Sequence, residues 1–331
     1  MRFITNHPSQ DREEVGRILL QKRDKIAIDV EAVSLVYPMP LGVALAISPT
    51  VGFYFFNPKD DLLSQAVMSS ECVLLHNASF DKPLLDELGL KIKAWEDTML
   101  LAYAAGILDK SLGALSVSVL HMPYTSVTSQ WTKKDQGNIG IDHVKMGGWS
   151  IQHACNTYAL WEKIPHTELY RTIDRPCIDL VIEMEKWGIL IDQNQLTEVE
   201  QVAVTRANRL KEELVAELGD INLASNPQCV TALQAKGILG TRKTKGGADS
   251  IGEESLKPLG NPIADKLLEW RSVTKTISTY IPAFRSVNSA GRLQTVYGYT
   301  NTGRFKSGDK MRKKTNLQNI TRDSKFITEE E

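Results

Sequence analysis

Asp29 and Glu31 stand two apart in the apolar run at residues 25–31 (KIAIDVE). Residues two apart on a strand point to the same face, so both carboxylates can reach one cation, and hard divalent ions such as Mg²⁺ prefer carboxylate oxygen. A third acid, Asp81, closes the segment HNASFD at residues 76–81, where an apolar run enters a polar turn and a helix begins. That places it at the carboxyl end of a strand, where α/β sheets usually hold their ligands. Together the three acids predict a divalent-cation site.

The elements that must position these acids alternate along the first half of the chain. Strands are predicted at 25–31, 41–47, 51–56 and 72–76, with Ser48, Pro49 and Thr50 as a turn between the second and third. Helical spacing over 80–88 stops at Gly89, and a second helix opens near Asp97 and Thr98 and runs to Ala105. Strands in hairpin succession followed by β-α-β units predict a mixed sheet flanked by helices. After about Trp161 the strand signals fade. Residues 176–187 are amphipathic and end at Gly188, Asp192 can cap a long helix to Leu218, and Asn226-Pro227 and Asn261-Pro262 each open another, the last reaching about Tyr280. Residues 241–247 (TRKTKGG) read as a basic loop, 291–299 as one more strand and 300–321 as a polar, basic loop.

With 331 residues, 42% hydrophobic and 24% charged, the chain has the balance of a globular protein long enough for two domains, which excludes disorder, collagen and coiled coil. Its longest apolar stretches, such as 41–56, fall short of the roughly 20 residues needed to cross a bilayer, so no membrane is expected. Cys72, Cys155, Cys177 and Cys229 lie far apart without a CxxC pair, and the first residues lack a secretory apolar core; a reducing, cytoplasmic setting is predicted. The net charge of −1 conceals an asymmetry. Residues 241–322 hold 16 Lys and Arg against 6 Asp and Glu, whereas residues 1–165 hold 15 against 18, and such a basic region favours a polyanionic partner.

IAIDVE, then HNASFDKPLL about fifty residues later, then WEDTMLLAY together resemble the 3′→5′ proofreading exonuclease domain of family A (bacterial DNA polymerase I type) DNA polymerases. The resemblance implies a ribonuclease H-like α/β fold and a two-metal site for Mg²⁺ or Mn²⁺ that hydrolyses a terminal phosphodiester. It makes Asp29, Glu31 and Asp81 the metal-site acids, with Asn77 and Phe80 completing the second motif on the side of the single-stranded 3′ end. The family's third motif, Y-x-x-x-D, is where this sequence departs. In residues 149–164 (WSIQHACNTYALWEKI) an ungapped alignment sets His153 at the Tyr position, where an imidazole can orient a water, and Thr157 at the Asp position, where no carboxylate remains. An alignment that instead holds TYALWEK fixed deletes about one helical turn, including the Asp. Glu162 and Asp142 are the candidate substitutes, though neither has the family spacing. A weakened or inactive exonuclease is therefore expected.

The resemblance continues to the C-terminal side. RPCIDLVIEMEKWGILID is similar to the segment leading into the polymerase domain, and the helices after it look like the thumb, with 241–247 as a tip whose Arg242, Lys243 and Lys245 meet DNA phosphates. Thr302-Gly303-Arg304-Phe305 and then Asn316-Leu317-Gln318-Asn319-Ile320 resemble the stretch before the catalytic palm strand, which implies primer-template contacts by Arg304, Asn316, Gln318 and Asn319. The implied division is an exonuclease-like domain at 1–165, a helical thumb at 166–285 and the first strand and loop of a palm at 286–331. The family's D-Y-S-Q-like and H-D-E-like acids of nucleotidyl transfer do not occur. Synthesis is thus expected to need a second chain carrying palm and fingers, as in a split, phage-type polymerase, docked from about Arg292 onward, unless the chain is a fragment of a longer one. The rivals are a non-catalytic DNA-binding scaffold and a free-standing 3′→5′ exonuclease.

Overall fold

In the computed structural model, the described residues are 2–5, 12–33, 39–124, 143–244, 246–247, 249–300, 302–309 and 314–319. Strands β1 (Arg2–Thr5), β2 (Arg23–Ala32), β3 (Pro40–Ser48), β4 (Val51–Phe55), β5 (Ser70–Leu75) and β6 (Trp95–Asp97) form one sheet in the order β1-β4-β3-β2-β5-β6. β3 runs antiparallel to β2 and β4, whereas β1 with β4, β2 with β5 and β5 with β6 are parallel pairs. The sheet is mixed, as the sequence predicts, and gains β1 and β6. Helices α1 (Arg12–Leu19), α2 (Asp61–Ser69), α3 (Ala78–Glu87), α4 (Thr98–Ala104), α5 (Leu112–Ser118) and α6 (His143–Lys163) accompany it. By contacts the chain divides into two compact units, one of Met1–Lys186 with Tyr299–Arg304 and Lys310–Lys313, the other of Trp187–Gly298 with Phe305–Asp309 and Lys314–Glu331.

Side-chain size decides how α6 meets the sheet. Ala27, Ala44 and Ala46 line the face of β2 and β3 that packs with Met146, Ile151, Ala154 and Cys155 of α6. Gly52 in β4 lets the helix come closer still. A Cβ there would lie 2.8 Å from Cγ2 of Ile151 and 3.3 Å from Sγ of Cys155. From the helix side, a Cβ on Gly147 would lie 2.8 Å from the Tyr54 ring. Two backbones with small residues between them approach until the larger side chains at the margins interlock, and close packing makes such positions intolerant of added volume.

A buried acid holds the ends of two helices. Asp97 accepts the N–H groups of Met99 (2.8 Å) and Leu100 (3.1 Å) as the cap of α4, and those of Ala78 (2.7 Å) and Asn77 (3.3 Å) before α3. Four donors on one carboxylate satisfy orphan N–H groups at both helix starts. Asn77, at the N-cap position of α3, makes no side-chain cap and adopts the left-handed conformation (φ +75°) that Asn tolerates better than most residues.

α7 (Arg175–Trp187) lies in the first unit except for its last residue; in the second unit β7 (Ile189–Leu190) comes first, and α8 (Gln193–Leu218), α9 (Asn226–Ala235), α10 (Glu253–Leu256), α11 (Pro262–Lys275) and α12 (Ile281–Arg285) carry the helical content. Asp192 and Asn261 cap α8 and α11 as their sequence positions predict. Asn226 does not cap α9. Ser225 holds that position, and Asn226 accepts a bond from Arg271 at 2.9 Å instead. Leu210, Leu214 and Leu218 of α8 and Ala264, Leu267 and Val273 of α11 are buried, and the Arg206–Glu269 and Lys266–Glu213 pairs, both 2.7 Å, flank the contact.

The single strand predicted at 291–299 is two. β8 (Arg292–Leu293) pairs antiparallel with β7, and β9 (Tyr297–Tyr299) pairs with β10 (Phe305–Ser307). The break has a cause: Thr295 donates to the Thr315 carbonyl at 2.6 Å and Val296 accepts from Gly308 N–H at 2.9 Å, so the residues between serve a loop rather than a ladder.

Gly52→Ala should destabilise the protein by about 1–3 kcal/mol through overpacking against Ile151. Gly148→Ala, one position along α6 from Gly147 and with no heavy atom within 4 Å of the new methyl, should stabilise it by about 0.5–1 kcal/mol. Urea unfolding of the two variants checks the pair, and equal effects would mean that α6 does not approach β4 as closely as described.

Candidate metal centre

β2 turns Asp29 and Glu31 toward the face covered by α6, because Ala27, Asp29 and Glu31 alternate with the buried Ile26, Ile28 and Val30 of the opposite face. α6 brings Ser150, His153 and Thr157 to its buried side at helical spacing. Ser150 donates from Oγ to Oδ2 of Asp29 at 3.0 Å, and Nδ1 of His153 lies 3.6 Å from the same oxygen. Ligand atoms of Asp29, Glu31 and His153 all fall within 4.8 Å of one another. The ring of Tyr124 stacks on the imidazole at 5.0 Å between centroids and 14° between planes.

The electrostatics follow from crowding of like charge in a poorly solvated place. Burial, and after it the charge of Asp29, push the Glu31 carboxyl up to about 8, against a smaller opposing pull from His153 and Ser150. Burial also raises the Asp81 carboxyl well above its usual range, with Asp29 adding to the rise and the Val30 N–H opposing it. Asp81 therefore senses both acids of β2, yet it stands outside the group of three that converge on one point. His76, at the start of the same HNASFD segment, is pulled down by burial, and its Nδ1 meets Oγ1 of Thr98 at 2.9 Å.

Two hydroxyls near this centre are buried and have no hydrogen-bond partner among the described residues, those of Tyr54 and Thr157. Tyr54 shares a cross-strand row with Ala44 and Asp29, and Gly42 is paired with Glu31. A Cβ on Gly42 would lie 2.0 Å from the Tyr54 hydroxyl oxygen, so the phenol tip occupies the space beside Glu31 that a side chain would fill. Burial and then the charges of Glu31 and Asp29 raise the Tyr54 hydroxyl pKa. An orphaned donor beside two carboxylates and an imidazole fits a centre that takes a divalent cation with its own water or anion.

Of the residues singled out from sequence, Asp29, Glu31 and His153 converge, with Asp81 adjoining. Phe80 lies half-buried in the first turn of α3, where its N–H donates to the Asn77 carbonyl at 2.9 Å. Glu162 is exposed near the end of α6 and Asp142 lies outside the described residues, so no substitute carboxylate is found among the described residues of α6. Sequence reasoning missed Ser150, Tyr54, Tyr124 and the capping role of Asp97. Ser150 was detectable as the residue one turn before His153, whereas Tyr54 needed the strand register.

The residues expected to meet DNA are arranged differently. Arg242 is paired with Glu254 and Lys243 with Asp249, all on the second unit, while Lys245 lies outside the described residues. Asn316 and Gln318 bond within the chain: Gln318, though exposed, donates from Nε2 to the Phe305 carbonyl at 2.8 Å, and the Asn316 amide oxygen accepts from Oγ of Ser307 at 3.0 Å. Both amides thereby fasten the turn at Leu317–Asn319 to β10. Arg304 is exposed, and the side chain of Asn319 lies outside the described residues.

Residues 193–330 match the model of DNA polymerase family A. The chain is 29% identical to DNA polymerase I of Chloroflexus aurantiacus, over 91% of this chain and 36% of that protein. It is also 29% identical to DNA polymerase I of Rhizobium leguminosarum (77% and 27%) and to the DNA polymerase of Escherichia phage T5 (80% and 36%). It thus spans about a third of the length of these relatives. Its fold is similar to that of the POL domain of Pol1 from M. smegmatis, solved in complex with DNA primer-template and dNTP, with a TM-score of 0.73 at 22% identity over 98% of this chain and 57% of that one. Among the described residues no helix is long and apolar enough to cross a membrane. Residues 193–330 are thus the part of this chain that carries the match to DNA polymerase family A.

Proposed function

We propose that the chain is the portion of a family A DNA polymerase that positions primer-template DNA through a helical thumb, joined to a 3′→5′ exonuclease-type domain of ribonuclease H-like fold whose metal centre is impaired. Thr157 is the observation that carries the second part. It lies on α6 one turn beyond His153, buried and with an unpartnered hydroxyl, at the place where the family motif has a carboxylate. Divalent cations, when bound at such acids, activate a water and stabilise the leaving oxygen of a phosphodiester. Asp29 and Glu31 are the residues to hold them, Ser150 fixes the Asp29 carboxylate, and Asp81 adds negative charge nearby. A neutral hydroxyl at 157 leaves the set one anionic ligand short. Palm and fingers must come from outside these 331 residues, either from a continuation of the chain or from a second chain docked beyond Arg292.

Release of 3′ nucleotides from single-stranded DNA with Mg²⁺ or Mn²⁺ should be weak or absent. Thr157→Asp should raise it at least about tenfold, the scale on which ligand-sphere changes alter metal sites. Steady release by the unaltered chain that Asp29→Ala abolishes would overturn the proposal, and no gain in Thr157→Asp would mean that the missing carboxylate belonged to a deleted helical turn.

Duplex binding is assigned to the basic stretch at residues 241–322. Arg242 and Lys243 sit in exposed ion pairs, which contribute little in water and exchange readily for phosphate. Replacing Arg242, Lys243 and Lys245 by Gln should weaken binding about equally for all sequences and reduce the salt slope of log K by about 0.9 for each phosphate that is no longer neutralised. An unchanged slope in a fluorescence-anisotropy titration would show that this loop does not touch DNA.

A further inference from the structure

The centre departs from an all-oxygen cation site in one donor. His153 presents Nδ1 3.6 Å from Oδ2 of Asp29, and the three ligand atoms of Asp29, Glu31 and His153 lie within 4.8 Å of one another. Ligands that share one ion at about 2.1 Å stand about 3–4 Å apart, so these three need only a small contraction to close on a single ion. The imidazole is held in place. Tyr124 stacks on its face, and the α6 backbone that carries it is fixed to the sheet at Gly52 and Gly147.

Mg²⁺ demands near-octahedral oxygen coordination and dehydrates reluctantly, whereas imidazole nitrogen suits Zn²⁺ and Co²⁺. A separate observation points to a ligand at the same place. The Tyr54 hydroxyl, fully buried and unpartnered among the described residues, stands beside Glu31 in the space left by Gly42. A buried phenol without a partner is costly, and a water or anion carried by an ion between Glu31 and Asp29 would supply one.

We infer that Asp29, Glu31 and His153 form a mononuclear centre that selects a nitrogen-accepting divalent transition ion, Zn²⁺ or Co²⁺, over Mg²⁺, with Tyr54 donating a hydrogen bond to the ion's exogenous ligand. The inference deepens the proposed function at the same site and rests on it only for the presence of a cation. It requires His153 to act as a ligand, where the family motif has a residue that orients water.

The test is a Co²⁺ titration of the EDTA-treated full chain, followed by visible d–d absorption, with Asp29→Asn/Glu31→Gln as the control that defines this site. One Co²⁺ should bind, Zn²⁺ should displace it near stoichiometry, and Mg²⁺ should fail to do so at a hundredfold excess. His153→Ala should lower Co²⁺ affinity at least tenfold. His153→Asp, a second variant in case the first folds poorly, should alter the band and let Mg²⁺ compete. Tyr54→Phe should keep the stoichiometry, lower affinity severalfold and raise the melting temperature of the metal-free protein. Displacement by Mg²⁺ at equal concentration, or wild-type titration of a folded His153 variant, overturns the inference while leaving the cation site intact. Failure of Co²⁺, Mn²⁺ and Mg²⁺ alike to bind at Asp29 and Glu31 removes the site itself.

Discussion

The close approach of α6 to β3 and β4 is the constraint on which the first unit depends. Alanine at 27, 44 and 46 and glycine at 52 and 147 remove the side-chain volume that would hold helix and sheet apart. Only at that distance do Ser150 and His153 come within reach of Asp29. The same packing buries Tyr54 at full depth, and Gly42 then gives its hydroxyl room beside Glu31. Core packing and site geometry are therefore one arrangement. A methyl group added at Gly52 would press on Ile151 and Cys155 of α6, the helix that also carries Ser150 and His153.

The acids of this unit divide by what surrounds them. Asp97 is buried yet fully engaged, with four backbone N–H groups on its two oxygens, and it serves the chain by capping α4 and organising the turn into α3. Asp81 is buried and Glu31 half-buried, both with far less compensation, and their carboxyls rise because desolvation and neighbouring negative charge both oppose ionisation. A structural carboxylate is satisfied by the protein itself. A carboxylate kept beside another acid with few donors is what a cation site requires, and perturbed acids of this kind concentrate at functional places. In the second unit the corresponding contrast is between Arg242 or Lys243, in exposed pairs on a loop, and Asn316 or Gln318, whose amides are spent on holding a turn to β10.

Much of this is legible in residue patterns because it is local. Alternation in residues 25–31 marks the strand and the shared face of Asp29 and Glu31, and Asp192 and Asn261 mark helix starts through side chains that accept nearby N–H groups. β6 escapes notice because three residues carry no measurable period, and the five-residue π-helical stretches at Tyr170–Asp174 and Thr276–Tyr280 leave no signature distinct from the α-helices that continue them. The run at 291–299 misleads for another reason: its strand character is real at both ends, but each end has a different partner, and partner choice is set by residues far along the chain. Tyr54 joins the site through register across β4, β3 and β2, which no single segment reveals.

The central claim is that α6 inserts an imidazole into a centre that is one carboxylate short of a two-ion site. Anomalous diffraction at the zinc edge, from crystals equilibrated with Zn²⁺, addresses it most directly. A single peak bonded to Asp29, Glu31 and His153, with Thr157 taking no part, is the expected result. Two peaks about 3.5–4 Å apart, the spacing of paired catalytic ions, each with oxygen ligands only and with His153 turned away, would contradict it.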